Sequence, residues 1–91
     1  MTLEKVCDWL RVSVGDDDEH ILGLMAAVPS YIETTTGMTE EQQKSEPLAE
    51  TVSKFILMQW YDVVVDDKQN IQRLIDSLLK VLTSKAKDKN G

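Results

Sequence analysis

Residues 55–65 read Phe55-Ile56-Leu57-Met58-Gln59-Trp60-Tyr61-Asp62-Val63-Val64-Val65, an apolar run that only Gln59 and Asp62 interrupt. Extended back to Leu48 and set on a helix at about 100° per residue, the run divides into two faces. Leu48, Val52, Phe55, Ile56 and Val63 fall on one side, the pattern of an ordinary core face. Leu57, Met58, Tyr61, Val64 and Val65 point the other way. A surface helix of a small protein carries a polar back. Apolar residues on both sides therefore predict that other helices, or another subunit, cover the second side. We take Leu57, Met58, Tyr61, Val64 and Val65 as the expected subunit or partner interface. Gln59 lies near the middle of the core face and needs a hydrogen-bond partner there.

The flanking segments supply helices to pack on this one. Thr2 suits the N-cap of a first helix over about residues 2–12, with Glu4 placed favourably in its first turn. Leu3, Val6, Cys7 and Leu10 form its apolar stripe, and Trp9 lies off it. A second helix is predicted over 17–36. Its stripe is Ile21, Leu24, Met25, Val28 and Ile32, and Gly37 ends it. Pro29 interrupts the hydrogen-bond ladder at a cost of about 3 kcal/mol. The stripe nevertheless stays in phase to Ile32, so one helix kinked at Pro29 is expected rather than two.

Residues 38–46 are polar and read as a loop, in which the Thr39 and Gln42 spacing fits a capping box and one helical turn. Pro47 opens the third main helix, expected over 47–65. The fourth, over 70–84, has the cleanest pattern: Ile71, Leu74, Ile75, Leu78, Leu79 and Leu82 at i, i+3, i+4, i+7, i+8 and i+11. Burying such side chains is worth roughly 1.5–3 kcal/mol each before entropy is subtracted. No segment requires a strand. The expected fold is all-α, a small bundle of four main helices forming a single domain over 1–84, with 85–91 as a flexible basic tail.

Composition limits the function classes. The 91 residues carry 42% hydrophobic and 29% charged side chains, a globular balance rather than a disordered one. No apolar run approaches the roughly 20 residues of a membrane span, so no membrane partner is expected. A single cysteine, Cys7, gives no intrachain disulfide and makes a reducing cytoplasm the default. The net charge of −6 is unevenly placed: the first 47 residues carry −7 and the remainder +1. An acidic body repels phosphate, so tight binding to a nucleic-acid backbone is disfavoured while DNA sliding past is not.

Catalytic and ligand-binding patterns are largely missing. Asp16, Asp17, Asp18 and Glu19 lack the alternation, mid-loop glycine and distal glutamate of a calcium loop, and read as the cap and first turn of the second helix. His20 has no second histidine or cysteine beside it. Cys7 reads as a small core residue. The glycines at 15, 23, 37 and 91 form no phosphate loop. No catalytic residue, metal or cofactor is assigned, and the chain is not expected to be an enzyme. Asp76-Ser77-Leu78 matches the tripeptide that carries the phosphopantetheine arm in acyl carrier proteins, but there it opens a mid-chain helix and here it lies inside the last one.

Read in order, the segments resemble the head–tail connector family of long-tailed phages and prophages, also known as DNA-packaging or neck adaptor proteins. Leu10-Arg11-Val12 matches the Leu-Arg-aliphatic step that closes the family's first helix. Asp16 to Glu19 match its acidic turn, and Ala26-Ala27, Tyr31-Ile32 and Thr36-Gly37 match its second helix in order. Trp60-Tyr61 matches the pair that ends its hydrophobic helix, and the leucine-rich last helix follows. Where the family often continues with a polar, arginine-containing segment, this chain continues Asp62-Val63-Val64-Val65. The resemblance implies a structural virion protein of the phage neck, made in the host cytoplasm. It would assemble as a homo-oligomeric ring between portal and tail, contact the portal and other neck proteins, and carry DNA only as passing cargo. A small helical adaptor that binds a protein partner through the third main helix is the alternative from another class. An acyl carrier-like protein is the remote one.

Overall fold

The computed structural model describes residues 1–61 and 68–90. The fold is all-α, with no strand among the described residues. Five helices follow one another: α1 (Leu3–Leu10), α2 (Asp18–Thr36), α3 (Glu40–Lys44), α4 (Pro47–Trp60) and α5 (Lys68–Asn90). α4 is the helix expected third, and it packs against α1, α2, α3 and α5. α2 also meets every other helix, so α2 and α4 form the inner pair of the bundle.

Local chemistry sets the boundaries. Thr2 Oγ1 accepts from the Lys5 amide at 3.2 Å and starts α1. The helix ends at Leu10, two residues earlier than expected, because Arg11 adopts the left-handed conformation at φ 60°. Its amide then closes the helix on the Asp8 and Cys7 carbonyls. At the start of α2, Asp18 and Glu19 occupy the first turn as expected, and Asp18 Oδ1 accepts from the Gly15 amide at 2.8 Å. Asp17 takes the N-cap position without capping by its side chain, whose carboxylate is engaged elsewhere. α2 runs through Pro29 as a single helix, and Gly37 terminates it at φ 81° with its amide on the Glu33 carbonyl. Only glycine adopts that conformation without steric cost.

The polar loop holds more structure than its composition suggests. The Thr39 and Gln42 capping box forms with both of its hydrogen bonds, at 3.2 and 3.0 Å. Met38 is fully buried, and Thr36, also buried, ties it down by accepting from its amide. Gln43 Nε2 donates to the Pro29 and Met38 carbonyls, pinning α3 onto α2. Residues 38–46 are thus a packed connection with an apolar anchor rather than a polar linker.

The largest correction concerns the chain end. α5 does not stop near residue 84 but continues to Asn90. Ala86 is buried and extends the inward stripe of Ile75, Leu79 and Leu82 by one more turn. Lys85 Nζ lies 3.1 Å from Glu46 Oε1, and Glu46 is itself buried at the N-cap of α4, where Oε2 accepts from the Leu48 amide. The segment expected as a flexible tail is a helical turn with a core residue and an ion pair. Leu74, placed in the core stripe by its spacing, is 41% exposed.

Candidate interaction surface

The structure divides the expected interface residues among three places. Leu57 is 0% exposed and belongs to the chain's own core. Its placement at a subunit surface is therefore corrected: at that position the back of α4 is covered by the chain's own helices. Met58 and Tyr61 are half-buried and pack against the same core. Val64 and Val65 lie outside the described residues, as do Val63 and the expected last turn of that helix.

Tyr61 and its neighbour Trp60 act as an internal clamp. The Tyr61 hydroxyl donates to Asp17 Oδ2 at 2.9 Å, and its ring meets His20 with centroids 5.7 Å apart. Trp60 meets Tyr31 edge-on at 5.3 Å. Adjacent residues at the end of α4 thus hold α2 at two points a large part of its length apart. Hydrogen bonding to Asp17 pushes the Tyr61 phenol above its ordinary pKa, and burial and the Asp17 charge add to the effect. It stays a protonated donor at neutral pH.

Other polar groups are also engaged internally. Gln59 Nε2 donates to Gln72 Oε1 at 2.6 Å, and Gln72 passes a bond on to Asp76 Oδ1 at 2.8 Å. That chain joins α4 to α5 and gives Gln59 a partner, although Gln59 is half-buried rather than set in the core face as expected. Lys5 pairs with Glu50 across α1 and α4 and sits 5.7 Å from the Trp9 ring centroid. Its hydrogen bond and charge hold the Glu50 carboxyl below the usual range. Cys7 is buried, and burial pushes its thiol upward, reinforced by the charges of Asp18, Glu4 and Asp16. Ser77, the serine of the tripeptide match, is exposed on α5.

A groove of about 480 Å³ opens between the α3–α4 connection and α2, lined in part by Pro29, Gln43, Glu46 and Ser53. Three of its polar side chains are already committed: Gln43 to two carbonyls, Ser53 to the Ala49 carbonyl at 2.6 Å, Glu46 to its cap and Lys85. Among the described residues no cluster of three His, Cys, Asp or Glu side chains is placed to hold a metal ion. No helix among them is long and apolar enough to cross a membrane.

The open apolar surface lies on other helices. Leu22 and Tyr31 on α2, and Leu74 and Val81 on α5, are between 39 and 49% exposed. Leu22 and Val81 fall outside the core stripes of their helices, which is the signal the sequence carried for them. No family model matches this chain, and neither a curated protein nor a solved structure matches it.

Proposed function

We propose that this chain is a structural subunit of a phage or prophage neck, assembling as a ring between portal and tail and extending the DNA channel. The observation that carries the reading is the distribution of surface. A small helical protomer with a closed core still exposes large apolar side chains on two separate helices, α2 and α5. Ring assembly needs contacts of this kind, between two different patches on each copy. The ordered resemblance of the segments, with Trp60-Tyr61 at the end of the hydrophobic helix, supports the same reading. So does the net charge of −6, which suits the wall of a conduit through which DNA must move without sticking.

The test is addition of the purified chain to portal-bearing capsids. Co-sedimentation with the capsids, and a ring of density below the portal, are the expected results. Failure to add to capsids that accept their own neck proteins would overturn the proposal.

A further inference from the structure

The outward face of α5 is built on a seven-residue spacing. Arg73, Lys80 and Lys87 recur at that interval, and Leu74 and Val81 recur beside them. Seven residues are two helical turns to within about 20°, so the basic row and the apolar row run side by side along the helix. All five side chains are exposed, while Ile75, Leu79, Leu82 and Ala86 face inward. Among the described residues, none of the three basic groups has an ion pair within the chain.

The outward face of α2 has the opposite character. This helix contains no lysine or arginine. Glu19 and Glu33 are exposed on one side of it, with the exposed Leu22 between them. Glu33 also accepts from the Glu40 amide at 3.3 Å. The two glutamates are fourteen positions apart, as are Arg73 and Lys87, and on a helix both separations come to about 21 Å. Between the glutamates the surface is low, with Gly23 and Ala26 exposed. A side chain at Gly23 would meet nothing within 4 Å inside the chain. Glycine weakens a helix interior, and the chain's own packing gives no reason for it there. Close approach of a second helix would give one.

We infer that the Arg73–Lys87 face of α5 docks on the Glu19–Glu33 face of α2 in a second copy of this chain. Leu74 and Val81 then lie over Leu22 and the low strip at Gly23 and Ala26, and the charge rows meet at matched spacing. The contact joins two different patches, so each pairing leaves one α2 face and one α5 face open and assembly continues until it closes. A single helix pair covers less than the roughly 800 Å² per partner of a standard interface. Association of the free protein is accordingly weak, salt-sensitive and favoured at high local concentration. The inference supplies the lateral contact of the ring and rests on the neck-protein reading.

The test is a disulfide trap in a Cys7→Ala background carrying both Ala26→Cys and Ser77→Cys, with helicity verified by circular dichroism. Oxidation of the concentrated protein, or of protein bound to portal-bearing capsids, should give a ladder of dimers, trimers and larger species. A control with Asp8→Cys in place of Ala26→Cys should not. Separately, Glu19→Lys with Glu33→Lys should weaken self-association in sedimentation at least tenfold, and adding Arg73→Glu and Lys87→Glu to the same chain should restore it. No ladder above the control in either setting, or no restoration by the second pair, overturns the contact. A chain that adds to capsids without cross-linking removes this contact and leaves the neck role standing. A ladder from a chain that ignores capsids does the reverse.

Discussion

The Tyr61 hydroxyl donates to the Asp17 carboxylate at 2.9 Å across forty-four positions of sequence. One bond thereby fastens the end of α4 to the start of α2, the two helices that every other helix touches. It also decides what the Trp60-Tyr61 pair does in this fold: both rings grip α2.

Replacing Tyr61 by phenylalanine keeps the ring and removes the bond. The Tm should fall by a few degrees, as expected for loss of one charge-assisted hydrogen bond in a domain of this size. The phenol's pKa is raised in the folded state. The stability it contributes is therefore complete below its unfolded pKa near 10 and is lost as pH rises through the folded value. Urea unfolding followed from pH 8 to 11 should show a steeper alkaline loss for the wild type than for Tyr61→Phe. Equal slopes would mean that the bond carries no weight.

The chain end offers a second measurement. Deleting residues 85–91 removes Ala86 from the core and Lys85 from Glu46. Lys85 is 43% exposed, so its pair with the buried Glu46 is worth less than a fully buried one. With the lost packing of Ala86, the truncation should cost about 2 kcal/mol. Lys85→Met alone should cost about 1 kcal/mol, most of it from weakening the partner of a buried carboxylate. A disordered tail could be deleted without effect, so equilibrium unfolding of the truncated chain separates the two cases.

That segment also shows where sequence reading stopped. The all-α class, the core stripes of α1 and α2, the capping box at Thr39 and the glycine stop at Gly37 follow from spacing and cap chemistry, which are local. Ala86 continues the stripe of Ile75, Leu79 and Leu82, but five charged or polar residues around it gave the segment the composition of a tail. Its order comes from Glu46, thirty-nine positions away, and no local pattern encodes that distance. Leu57 failed for a related reason. A helical wheel shows that both faces of α4 are apolar, yet it cannot tell cover by four helices of the same chain from cover by a neighbour. Met38 was lost as a lone apolar residue in polar surroundings, where periodicity has nothing to count. The proposed interaction surface was legible only in part: the charge rows are visible in sequence, but which apolar residues stay exposed depended on the packing.

Arg11 provides a test of backbone strain. It ends α1 at φ 60°, a conformation that costs a side-chain-bearing residue roughly 1–2 kcal/mol. Glycine relieves that cost while adding freedom to the unfolded chain, so Arg11→Gly should raise stability by about 0.5–1 kcal/mol net. Arg11 is exposed and has no ion pair among the described residues, so little else is lost. A destabilised Arg11→Gly variant would show that the side chain itself holds the α1–α2 turn.

Cys7 reports on opening of the bundle. The side chain is 2% exposed between α1 and the inner helices, and burial together with nearby carboxylates keeps it a neutral thiol. Thiolate is the reactive form, so a thiol reagent at neutral pH should label the folded protein at least about 100-fold more slowly than the chain in urea, because only opened molecules react. Lys5 and Glu50 tie α1 to α4, and Lys5→Met should speed native labelling by releasing α1 without unfolding the remainder. The Glu50 carboxyl is held below its usual range by Lys5. The tether is therefore complete above the unfolded carboxylate pKa and weakens as pH falls through the folded one. Labelling after brief acid exposure should rise as pH falls through that range in the wild type, whereas Glu50→Gln, which lacks the charge at every pH, should label faster throughout and show no such rise. Identical acid profiles would place the opening of α1 under some other control.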